Sequence, residues 1–308
     1  MKQRILAFVA LATLLLPLTV VGVYAQEDQA KESITVSPAV SEPITDAGSQ
    51  INAKMTVVND GQSDYKFLLY ARPFSVESES YDPVYKVVDE RSEAYQWVQF
   101  EKNNYTLAAG ERIEIPYTIT VPENAAGGGH YAVLFAETQP SEDSKSQIER
   151  KKRVGSLLYM TVNGDVKESG SLEGWDANLW QSTKPVSANL RIKNDGNVHF
   201  QADSKVKFEN IFGKALLQLN QQQLILPDTT RKIPVNWENP PTFGIFKVSG
   251  SVKYLEKTEQ LPVEYIIFVP KAITLGLVAI IALIIFKIVL PKDFRKKVRK
   301  SKTRGRKK

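Results

Sequence analysis

The chain has 308 residues, no cysteine and a formal charge of +6. Without cysteine neither a disulfide framework nor a thiolate metal site can form, so an exported fold must be held by its own apolar cores. The positive charge is local: residues 291–308 carry +10 and Lys2 and Arg4 another +2, which leaves −6 for everything between and excludes a main body that seeks nucleic acid.

In chain order, Lys2 and Arg4 precede an apolar run over residues 5–21, and Val23, Tyr24 and Ala25 close it as a signal peptidase requires. Residues 1–25 are therefore expected to be a signal peptide. The competing reading is an uncleaved anchor, against which stand Pro17 and the polar run at 26–29.

The exported part reads with period two. Residues 51–57 alternate, and residues 113–121 do so more cleanly, with Ile113, Ile115, Tyr117, Ile119 and Val121 on one face. This is the pattern of strands with one face buried and one wet. Pro116 cannot donate to a ladder and is expected at an edge or bulge, and Asn59-Asp60-Gly61 marks a turn.

A faint internal repeat divides this part. Val58-Asn59-Asp60-Gly61 recurs as Lys193-Asn194-Asp195-Gly196, Glu114-Ile115-Pro116 as Lys232-Ile233-Pro234, and the strand opened by Gly129 as the one opened by Gly244. The order is kept while the offset shortens after the first match, as two copies of one sandwich would show if the first carried an insertion. The polar, tyrosine-bearing residues 75–93 are the candidate insertion. The expected fold class is all-β: two immunoglobulin-like antiparallel β-sandwiches, residues 32–166 and 167–268, followed by one C-terminal transmembrane α-helix. A single larger barrel is the structural alternative.

The helix is expected over residues 271–290, where residues 272–286 carry no charge and no polar face. At about 1.5 Å per residue, positions 272–290 reach roughly 28 Å, near the thickness of a bilayer core. The Lys/Arg-rich tail at 291–308 then predicts a single-pass cell-membrane protein with its N-terminal ectodomain outside, its tail cytoplasmic and that tail on anionic lipid.

The export signal, Ile34-Thr35-Val36-Ser37-Pro38, the Asn-Asp-Gly turn, Ala109-Gly110 before the alternating strand, the Gly-Tyr strand at 129–135, the apolar helix and the basic tail together resemble the WxL-interacting protein family of Gram-positive bacteria. That resemblance implies a cell-surface protein with a first domain of peptidoglycan-binding type and a second that holds a partner. The chain departs from the family in lacking the glutamine-bearing continuation after Pro38 and in its compact second domain.

Chemistry is sparse along the sequence. The histidines are His130 and His199, too few for a histidine-rich metal site. Ser63-x-x-Lys66 and Ser204-x-x-Lys207 lie in strand-like surroundings without the companion motifs of penicillin-binding enzymes. Asp89 and Glu90 are adjacent and cannot act as a spaced acid/base pair on an extended chain. The Gly127-Gly128-Gly129 run precedes a strand, not a helix, and is no phosphate cradle. No enzyme activity, cofactor or metal is expected, and no nucleic-acid partner.

Tyrosine is unevenly placed, with eight of the 12 between Tyr65 and Tyr131. Those on alternating strands are read as core, which leaves Tyr81, Tyr85 and Tyr95, with Trp97 beside them, as binding candidates. Aromatic faces with polar tips suit glycan or protein contact. The expected function is non-enzymatic binding of cell-wall glycan or a surface protein; the alternative is a structural or assembly subunit of a membrane protein complex.

Overall fold

The structure, a computed structural model, describes residues 33–139 and 151–289. The signal peptide expected at 1–25, the tail at 291–308 and most of the charged excursion after residue 140 lie outside the described residues.

Alternation becomes strand throughout. The first sandwich opens with β1 (Ile34–Ser37), the short β2 (Val40–Ser41) and β3 (Ile44–Thr45), then β4 (Gln50–Asn59) and β5 (Tyr65–Pro73). A small hairpin follows, β6 (Ser75–Val76) and β7 (Pro83–Val84), then a 3-10 helix at Glu90–Trp97. It closes with β8 (Val98–Phe100), β9 (Asn104–Leu107), β10 (Arg112–Thr120), β11 (Gly128–Thr138) and β12 (Arg153–Val162). The second sandwich contains β13 (Gly170–Asp176), β14 (Trp180–Gln181), β15 (Val186–Asn194), β16 (Phe200–Asn210), β17 (Ala215–Ile225), β18 (Thr230–Trp237), β19 (Gly244–Tyr254) and β20 (Lys257–Phe268).

Two sheets face each other in each copy. The first pairs the order β1-β4-β10-β8 with β2-β12-β11-β5-β9; the second pairs β13-β15-β18 with β14-β20-β19-β16-β17. Strand for strand the two correspond, with β8, the β6–β7 hairpin and one of the two short strands β2 and β3 beside β12 belonging to the first alone. Each encloses its own core, one built on Met55, Phe67, Ile115 and Met160, the other on Leu190, Phe208, Trp237 and Phe268. A single barrel is thereby excluded. On β10, Ile115, Tyr117 and Ile119 are buried, as their period demands. Pro116 lies one residue past the end of β8, whose last pair is Phe100 with Tyr117, and Pro234 lies on edge strand β18; both sites spare a ladder an absent donor.

The repeated asparagines do the same work in each copy. Asn59 donates through Nδ2 to the carbonyls of Ser63 and Leu107 and accepts from the Gly61 N–H. Asn194 donates to the carbonyls of Val198 and Ile225 and accepts from the Gly196 N–H. Both are fully buried. A side-chain amide here satisfies backbone groups that the turn leaves unpaired.

After β20 the chain forms α1 (Lys271–Val289), on which Leu275, Val278, Ile280 and Leu283 are exposed. The expectation that residues 271–290 cross a membrane is corrected: among the described residues no helix is long and apolar enough to do so. The charge-free part, residues 272–286, reaches only about 22 Å at 1.5 Å per residue, against a hydrocarbon core of about 30 Å. The longer count ran through Lys287. The single-pass cell-membrane placement and the lipid contact of the tail rested on that span and are corrected with it.

Candidate functional site

Strand β11 has an almost unbroken apolar run, and both its faces are buried. Ala132, Leu134 and Ala136 point into the first core, while Tyr131, Val133 and Phe135 point out into a third cluster with Phe74, Tyr159 and Leu226. A strand buried on both faces reads as continuous rather than alternating. Here the outer face is covered by the β6–β7 hairpin on one side and by the second sandwich on the other.

The seam between the sandwiches is polar as well as apolar. The Gly129 N–H donates to the Asn197 carbonyl at 2.8 Å, and Asn197 Nδ2 donates to the Gly127 carbonyl at 3.2 Å. Gly128 has φ of +125°, and a Cβ there would lie 2.6 Å from the Asn197 carbonyl oxygen. The glycine run thus exists for the close approach of another backbone. Beside it the Tyr131 hydroxyl shares a hydrogen bond with His199 Nδ1 at 3.2 Å and accepts from the His199 N–H at 3.1 Å. Tyr131, Tyr159 and His199 form a ring trio with centroids 5.6 to 5.7 Å apart. Burial raises the Tyr131 pKa and depresses that of His199 to about 4.

The inserted hairpin leans on β18. The Glu79 N–H donates to the Thr230 carbonyl at 2.6 Å, the Glu79 carboxylate meets Arg191, and Arg91 meets Asp228 at 2.7 Å. The Tyr81 hydroxyl accepts from the Leu226 N–H at 2.7 Å and lies 2.9 Å from the Thr229 hydroxyl.

Between hairpin and sheet remains a groove of about 470 Å³. Val133, Gly155 and Leu157 form its floor, Phe74, Tyr81 and Tyr85 its wall, and Arg153 and Arg231 its rim. Gly155 is required in the floor: a Cβ there would lie 2.7 Å from Val133 and 2.9 Å from the Phe135 ring. The Arg153 guanidinium lies 4.4 Å from the Phe135 ring centre and 5.5 Å from that of Tyr85. Its hydrogen bond to Tyr70 raises its pKa. Arg231 stacks 4.2 Å from the Tyr81 ring centre and donates to the Leu224 carbonyl at 2.7 Å. Burial lowers its pKa. No carboxylate, serine or histidine lines the groove, and burial raises the pKa of Tyr81 and Tyr159. The lining therefore offers aromatic contact and anion attraction, with no general base at neutral pH. Among the described residues no group of three or more metal-ligating side chains occurs.

The structure brings Tyr81 and Tyr85 together at this groove. Tyr81 is mostly buried as a wall, while Tyr85 is 41% exposed. Tyr95 and Trp97 lie elsewhere: both pack on the first core, Trp97 with its ring 4.7 Å from His130. They belong to the 3-10 helix, which Asp89 and Ser92 cap reciprocally, a helix the polar sequence did not announce. Sequence reasoning missed Arg153 and Arg231, since single arginines on strands carry no motif. The signal for the covered floor was the run from Tyr131 to Ala136, too apolar for a strand with one wet face.

No family model and no curated protein matches the sequence of this chain. Among solved structures it is similar to the class 5 fimbriae chaperone CfaA, 10% identical over 76% of this chain and 99% of that one, at a TM-score of 0.39. It is similar to the YadV chaperone, 11% identical over 74% and 99% with a TM-score of 0.41. A third is a chain of the CsuC–CsuE chaperone–tip adhesion subunit pre-assembly complex of Acinetobacter baumannii Csu pili, 12% identical over 77% and 99%, at 0.41. The resemblance to the WxL-interacting family is corrected: no family model matches the sequence. The peptidoglycan and wall-glycan binding implied by that resemblance falls with it.

Proposed function

We propose that this chain is a non-enzymatic binding protein that takes an extended, acidic segment of a surface-protein partner into the groove between β11, β12 and the β6–β7 hairpin. The observation that carries the reading is Arg231, half-buried and, among the described residues, given only a carbonyl and a ring as side-chain partners. A cation withdrawn from water is costly until an anion meets it, and the exposed Arg153 adds a second positive charge at the other end of an apolar floor. An extended peptide presents side chains alternately, so acidic residues reach the rim while apolar ones fill the floor. Tyr85 is the exposed aromatic contact and Tyr81 the wall that positions Arg231. The reading rests on the groove; the fimbrial chaperones are too distant to lend this chain their subunits.

The test is binding of the full chain to synthetic peptides alternating Val with Glu, and to matched peptides alternating Val with Lys. The acidic set is expected to bind, and Arg231→Gln or Tyr85→Ala is expected to weaken it about tenfold, the equivalent of about 1.4 kcal/mol. Equal binding of the two sets, or no effect of either variant, would remove the groove from the function.

A further inference from the structure

The two copies put the same sheet face to different uses. In the first, β11 and β12 supply the apolar floor of the groove and the β6–β7 hairpin its wall. The second has no such hairpin, and the corresponding strands β19 and β20, with β16 and β17 beyond them, leave an open trough of about 530 Å³. Its shape is set locally. The β19–β20 ladder slips between Val248 and Gly250, where β20 carries one residue more, and Gly250 lets β19 close on β16: a Cβ there would lie 2.3 Å from the Lys205 carbonyl oxygen. The outer side chains of β19 at this point are the small Ser249 and Ser251, opposite the long Lys207 and Lys205 of β16. Gln218 and Gln260 stand at the walls.

The trough is basic. Lys205, Lys207 and Lys247 line it, and no carboxylate does. Glu209, only 12% exposed, lies 3.6 Å from Lys207 and 3.4 Å from Lys247, so one acid serves two lysines. Lys205 has no ion pair among the described residues, and the next acid along β16, Asp203, stands opposite Lys253. Directly across from Lys247, Tyr265 is 50% exposed.

We propose that this trough binds an acidic polysaccharide, a chain of sugar rings that bear carboxylates. The ammonium groups attract the carboxylates, while the serine hydroxyls and glutamine amides both donate to and accept from sugar hydroxyls. Tyr265 adds an apolar face with a polar tip for a ring to lie on. An extended acidic peptide fits less well: β16 and β19 are paired on both sides and offer no edge for a backbone ladder, and the floor is polar where apolar side chains need pockets. The trough is separate from the groove between the sandwiches, and neither reading depends on the other.

The probes are oligogalacturonate, its methyl ester, which keeps the hydroxyls and loses the charge, and poly-glutamate, which keeps the charge and loses the hydroxyls. The full chain is expected to bind oligogalacturonate more tightly than either of the others. Lys205→Gln/Lys207→Gln and Tyr265→Ala are each expected to weaken that binding about tenfold with an unchanged thermal melt. Residues 291–308 carry +10 and attract any polyanion, so Lys297→Gln/Lys300→Gln is the charge-matched control, expected to leave the preference for oligogalacturonate over poly-glutamate unchanged. Equal binding of oligogalacturonate and poly-glutamate would give the trough to acidic peptides, and equal binding of the ester would make the lysines irrelevant. Either result, unchanged binding by both folded trough variants, or a loss in the tail variant as large as theirs would overturn the proposal.

Discussion

His199 sits neutral in the seam because burial holds its pKa at about 4, below the ordinary 6.5. The unfolded chain takes up that proton near pH 6.5 and the folded chain only near 4, so the unfolded state holds more protons between those values. Stability attributable to this group is full above about pH 6.5 and is lost as pH falls toward 4, by about 3 kcal/mol in all. Denaturant midpoints at pH 7 and pH 4.5 should therefore fall less in His199→Gln than in the wild type. His130, also depressed chiefly by burial, contributes in the same direction and remains in the variant. An equal drop in both proteins would mean that His199 does not carry the acid sensitivity.

At the scale of elements, the paired asparagines close matching strand ends in the two sandwiches. Replacing Asn194 by Ala leaves two carbonyls and one N–H without their partner in a buried site, at about 1–3 kcal/mol for each orphan. A loss of about 3 kcal/mol or more is expected, with a comparable loss for Asn59→Ala; a change below about 1 kcal/mol in either would show that water replaces the amide. These strands were legible in the sequence, because Ile113 to Val121 alternate and the Asn-Asp-Gly signature recurs. The insertion was legible as extra length, but not in its placement. Nothing local in residues 75–97 says that Glu79 bonds to β18 or that Tyr81 meets Leu226 and Thr229, because such contacts are fixed by how two sandwiches meet. Residues 271–290 misled in another way: their composition is apolar, but Lys271 and Lys287 cut the charge-free length.

Across the whole molecule, the glycine run, the Tyr131–His199 pair and the hairpin contacts to β18 hold the groove wall in place from both sandwiches. The floor belongs to the first copy, while Arg231 comes from the second. The groove therefore exists only when both are folded and joined, and the acidic-segment binding proposed for it depends on that union. The most direct test reverses the charge at the accessible end of the rim. Arg153→Glu, in the full chain and with an unchanged thermal melt, should lose the preference for Val–Glu peptides and gain binding to Val–Lys peptides. Retention of the wild-type preference by the folded variant would contradict the groove as the partner site.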